Sequence, residues 1–168
     1  MNQKNIFTTL FIIIVFASFY FLYNKYYNTE IKSIDAQGKI YVTSCGEYKN
    51  GEVLVDNKTL SVHIADNDCK RVLGLSNSLP LGDNDGMFFV FENMGNYPFW
   101  MKDMNFPIDI VWINDNFNIV GIEGDVLPST YPSVYGGEYF AKYVLEIPGL
   151  YCEKNNIKVG DKIIFLKK

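Results

Sequence analysis

Between Gly86 and Ile113 the chain reads GMFFVFENMGNYPFWMKDMNFPIDIVWI, three apolar runs dense in aromatic and β-branched residues, interrupted by only a few charges. Residues of that kind suit pleated, buried surfaces. The last run, PIDIVWI, constrains the fold most. Ile108, Ile110 and Trp112 face one side and Val111 and Ile113 the other, so both faces are apolar apart from Asp109, and the strand is expected to be central in a sheet. A carboxylate there needs compensation, because burying it unpaired is costly. Two arrangements are open. A cation, Arg71 or Lys102, pairs with it, or it pins a loop by accepting backbone N–H groups.

The rest of the chain is consistent with a β-rich domain. Of its 168 residues 48% are hydrophobic and 16% aromatic, which excludes disorder. With the N-terminal segment set aside, one domain of roughly 140 residues remains, near the commonest domain size. The net charge is −4, with scattered lysines and no basic stripe, which excludes a nucleic-acid partner.

Ile6 to Tyr23 contains no charge and lies between Lys4 and Lys25. As a helix it would span about 27 Å, enough to cross a bilayer core. Residues 1–23 are therefore expected to form a transmembrane signal anchor, followed by a polar tether at 24–38 and the folded domain at 39–168. Val15-Phe16-Ala17 loosely resembles a cleavage site, yet the apolar run continues past it. Lys25, Lys32 and Lys39 favour a cytoplasmic domain by the positive-inside rule, whereas the very short N-terminal tail is that of a signal anchor. The resulting expectation is a single-pass membrane protein with an extracytoplasmic domain.

Short strands are expected at 40–43, 53–55, 60–65, 87–91, 98–102, 108–113, 119–123, 143–147 and 162–166. A short helix over 66–75 is capped by Asp66 and Gly74 and turns Val72 inward, and a helical turn fits 151–155. Asn114–Asn116 make a hairpin turn. Prolines and glycines make 127–137 irregular. The fold class is mainly β: a single antiparallel β-sandwich or barrel with one or two short helices behind a transmembrane helix.

Chemistry is sparse. Three cysteines, Cys45, Cys69 and Cys152, and one histidine, His63, make a zinc site improbable and leave the disulfide pairing open. Asp83, Asp85, Gly86 and Glu92 fit a calcium-loop template only in part, since Leu81 occupies its first position. No metal and no cofactor are expected. No Gly-x-Ser-x-Gly elbow or phosphate loop is present. Trp100 and Lys102 alternate onto one strand face, where an indole beside an ammonium can hold a sugar, an anion or a peptide.

The series Ala65-Asp66, Arg71, Gly74-Leu75, Gly86 to Phe91, Phe99-Trp100-Met101-Lys102, Pro107-Ile108-Asp109, Tyr131-Pro132-Ser133, Val144-Leu145-Glu146 and Gly160-Asp161 resembles domain-of-unknown-function family 192. The likeness runs from about Thr59 to Leu166, nearly the whole soluble part. It implies a compact β-rich fold found in prokaryotes behind a signal peptide or anchor. The family has no established role, so its motif residues carry over as positions only. Asp103 and Met104 stand where Asn and Thr are expected, and Cys69 where an acidic residue is usual.

The leading expectation is a non-catalytic module for a small ligand or an envelope component, with a site drawn from Arg71, Trp100, Lys102, Asp109, Tyr131 and Ser133. Two alternatives stand beside it. One is a hydrolase using Asp109 or Glu146 as acid or base with Lys102 or Arg71; the other is a structural partner of an envelope protein.

Overall fold

The computed structural model describes residues 33–34, 40–41 and 45–167. The expected membrane anchor at 6–23 lies outside them, as does most of the tether. Among the described residues no helix is long and apolar enough to cross a membrane. Two compact units are present, Met1–Gly46 and Glu47–Lys168. In the first, β1 (Ser33–Ile34) pairs antiparallel with β2 (Ile40–Tyr41).

The second unit carries the β-rich fold. Its strands are β3 (Lys49–Val55), β4 (Lys58–Ala65), β5 (Asp85–Asn96), β6 (Phe99–Trp100), β7 (Ile108–Ile113), β8 (Ile119–Val126), β9 (Val134–Tyr135), β10 (Phe140–Pro148) and β11 (Ile163–Lys167). Helix α1 (Asp68–Leu73) follows β4, and α2 (Tyr151–Lys154) follows β10. Seven strands make one curled sheet, a half-barrel, in the order β11-β3-β4-β5-β10-β7-β8. Its two edge strands approach each other where Asn118 bridges Lys162. β6 and β9 form a separate two-stranded ribbon.

Local chemistry explains the turns. Asp56 and Asn57 join β3 to β4, both at positive φ, the conformation that matches hairpin twist and that short polar side chains tolerate. At the β7–β8 hairpin the Asn114 side-chain oxygen accepts the amides of Asn116 and Asn118, each at 3.0 Å. The expectation of antiparallel pairing holds in the sheet except at β4–β5, which run parallel. A parallel pair needs a crossover, and residues 66–84, including α1, supply it.

The sheet is apolar on both faces. Val53, Leu60, Phe88, Val111, Leu145 and Ile163 belong to the inner core, and all are essentially inaccessible. On the other face Phe89, Ile108, Ile110, Trp112 and Val144 lie beneath a layer that includes Leu75, Met101 and Phe106. Each such side chain contributes about 1.5–3 kcal/mol of hydrophobic stabilisation relative to exposure. β7 is buried along its whole length, as its doubly apolar pattern requires.

Two details of α1 differ from expectation. Its N-cap is Asn67, whose side chain accepts the Lys70 amide, while Asp66 pairs with Lys49 at 2.6 Å. The Lys49 ammonium holds the Asp66 carboxyl below its usual range. Val72 is 75% exposed, and Lys70 is buried in its place. The Lys70 stem packs under the helix because its ammonium donates to the Glu47 carbonyl at 2.8 Å and lies over the Tyr48 ring. A long cationic side chain can thus serve as core when its tip is satisfied.

Candidate functional site

The crossover, β5 and the β6 ribbon enclose a cleft of about 380 Å³, toward the small end of ligand sites. Its aromatic walls follow from strand alternation, since Phe89 and Phe91 project from β5 on one face. Phe89 meets Phe99 edge-on at 4.9 Å, and Phe91 stacks on Tyr97 at 3.6 Å. Trp112, inaccessible on β7, anchors this wall by donating its indole N–H to the Tyr97 carbonyl at 2.8 Å.

Two cations border the cleft, each against an aromatic face. Arg71 projects from α1 over the Phe91 ring, 5.3 Å from its centre. Its Nη1 donates to the Val90 carbonyl at 2.7 Å and its Nη2 to Asp68 at 2.6 Å. Lys102 follows β6 and places its ammonium 5.9 Å from the centre of the Trp100 indole. Among the described residues it has no carboxylate partner, whereas Arg71 has Asp68.

Trp100 is 51% exposed and touches Tyr131 edge-on at 5.8 Å. In the ribbon it pairs with Val134. The segment expected to be irregular therefore contains a 3-10 turn at Pro128–Thr130 and strand β9. Gly136 closes that segment at φ +75°, where an added Cβ would lie 2.0 Å from the Trp112 ring. Close packing on Trp112 thus sets the position of the loop relative to the ribbon.

Of the six residues expected at a site, Arg71, Trp100 and Lys102 line one cleft and Tyr131 borders Trp100. Ser133 is exposed and is not in the lining. Asp109 is elsewhere and inaccessible. Its Oδ1 accepts the amides of Asp125 and Leu150 at 2.8 and 2.9 Å, and its Oδ2 that of Cys152 at 2.7 Å. The pairing with Arg71 or Lys102 does not form. Three backbone N–H donors compensate the carboxylate, so the loop-pinning arrangement is the one observed.

Glu146 is also buried outside the cleft, between Met87 and Ile110 on its neighbouring strands. Its Oε2 has no hydrogen-bond partner among the described residues, and burial pushes the carboxyl up to about 8. Cys45 and Cys69 are each in a disulfide. Cys152 is a buried free thiol, raised by burial and by the Asp109 carboxylate.

Sequence reasoning missed Phe91 and Tyr97 as cleft walls. The alternation of Phe89 with Phe91 was a usable signal, but the stacking of Tyr97 depends on how the chain bends between β5 and β6. It also missed a second hollow of about 540 Å³, where Glu52, His63 and Asp85 contribute to the lining. There the His63 imidazole shares a 2.9 Å hydrogen bond with the Asn50 side chain.

The architecture is a curled β half-barrel whose crossover covers an aromatic, cation-bordered cleft. A family model described as DUF192, Uncharacterized ACR, matches residues 51–165. The chain belongs to this family. Among solved structures, it is similar to a proposed transcription regulator from Sinorhizobium meliloti 1021, with 23% identity and a TM-score of 0.67 over 71% of this chain and 98% of that one. A protein of unknown function from Novosphingobium aromaticivorans DSM 12444 is also similar, with 23% identity and a TM-score of 0.60 over 79% of this chain and 91% of the other. At that identity the likeness concerns the fold. No curated protein matches.

Proposed function

We propose that the domain is a non-catalytic binding module that takes a small ligand in the cleft between Arg71 and Lys102. The observation that carries this reading is the cleft itself, with aromatic walls and one ammonium that has no carboxylate partner among the described residues. Convergent polar groups on an apolar hollow are the usual form of a ligand site. Asp109 and Glu146, the carboxyl groups an acid–base mechanism would use, lie outside it, and this favours binding over hydrolysis.

The uncharged segment at 6–23 supports a membrane tether. That Cys45 and Cys69 are each oxidised fits an extracytoplasmic domain, since disulfides persist in oxidising compartments. A reporter fused after Lys168 tests the topology: activity of an export-dependent reporter is expected, and activity only of a cytoplasmic one overturns it. A ligand screen on the full-length protein, repeated with Trp100→Ala and Lys102→Ala, tests the cleft. Loss of the detected binding in both variants is expected; undiminished binding in both overturns the reading.

A further inference from the structure

We infer that the cleft selects a small carboxylic acid carrying one negative charge and a flat apolar body. This rests on the ligand-binding reading above and specifies what is bound.

Charge within the cleft sets the valence. Its lining contains two cations, Arg71 and Lys102, and one acid, Asp68. Asp68 is already bonded to Arg71 at 2.6 Å, so that pair is internally compensated, and the Lys102 ammonium is the surplus. A cleft of charge about +1 in a chain of net charge −4 is a local site for an anion. One negative charge balances it, whereas a second would face the Asp68 carboxylate.

Arg71 has less freedom than Lys102. The Val90 carbonyl and Asp68 hold its guanidinium in place, and its side chain is only 18% exposed. It is the fixed group of the two, its charge already met by Asp68, while Lys102 moves on a flexible stem and is the one that meets the ligand's charge. An ammonium lying on an indole keeps part of its electrostatic compensation from the ring. It can therefore turn toward a carboxylate without first breaking an ion pair.

The walls specify the body of the ligand. Phe91 stacked on Tyr97, and Phe99 set edge-on to Phe89, present ring faces and edges to the hollow. A planar ring or short chain gains contact area on such surfaces at low entropic cost. The volume, about 380 Å³, limits the body to one or two rings.

The test uses 4-phenylbutyrate, its primary amide and 4-phenylbutylamine, which share a body and differ in charge. Each is titrated against the full-length protein by ligand-observed nuclear magnetic resonance. The acid is expected to bind at least roughly tenfold more tightly than the amide, and the amine least. Lys102→Met is expected to bring acid and amide within about twofold of each other, and Lys102→Arg to restore the difference. Equal binding of acid and amide to the unaltered protein overturns the anion assignment and leaves the cleft reading standing, as does preference for the amine. If no probe binds, both the assignment and the cleft reading fail.

Discussion

Oδ2 of Asp109 accepts the backbone amide of Cys152 at 2.7 Å, joining the buried strand β7 to the first turn of α2 across 43 residues of chain. Together with the amides of Asp125 and Leu150 it makes one buried carboxylate the meeting point of three chain segments.

Asp109→Ala leaves three backbone N–H groups, that of Cys152 fully buried, without their acceptor and is expected to lower stability by about 3 kcal/mol. Urea denaturation should show an earlier midpoint with an unchanged slope. Asp109→Asn should fall between, since its amide keeps one acceptor oxygen but turns an NH2 toward the remaining donor. If stability is unchanged while ligand binding is lost, the carboxylate belongs to the site after all.

Glu146 makes stability depend on pH. Its carboxyl sits at about 8 in the fold, against an ordinary value of 4.5. Between these two values the folded state holds the proton that the unfolded chain has released, so stability falls as pH rises through this window and levels off above it. The full effect is on the order of a few kcal/mol. Replacing the group with an apolar one, Glu146→Leu, should flatten that slope and stabilise the protein most near the upper end of the window. Denaturation midpoints at several pH values measure it, and an unchanged slope in the variant would exclude Glu146 as its source.

Gly136 packs against Trp112 with no room for a methyl group, at a φ that side chains avoid. Gly136→Ala is expected to cost about 2–4 kcal/mol. Trp112 is inaccessible and Trp100 half-exposed, so displacement of the buried indole should increase the fraction of fluorescence quenched by acrylamide. A variant as stable as the parent, with unaltered quenching, would mean that the loop does not rest on Trp112.

Much of this architecture is legible in the residues. The doubly apolar pattern of Ile108–Ile113 identifies a strand buried on both faces, although it lies beside the edge strand β8 and not at the centre of the sheet; alternation in Leu60–Ile64 gives the inward face of β4 and turns His63 away from the inner core. Trp100 and Lys102 were expected together from strand spacing; they do meet, although β6 ends at Trp100 and Lys102 returns over the indole from the following turn. Other features depend on three-dimensional partners that no local pattern specifies. Lys70 replaces Val72 as the buried residue of α1 only because a carbonyl waits at Glu47. Asp109 is satisfied by amides 16, 41 and 43 positions away. The irregular stretch after Leu127 gains a strand because Phe99 and Trp100 offer Tyr135 and Val134 an edge to pair with.

The parallel pairing of β4 with β5 has a consequence for how such a domain can vary. Because those two strands run the same way, the chain must travel the length of the sheet between them, and that return segment carries Arg71 and Asp68. The remaining strands close the inner core without it. Exposed positions within residues 66–84 can therefore change and retune what the cleft accepts while the inner core of the half-barrel remains unaltered, whereas Lys70 and Leu75 of the same segment are held by their burial.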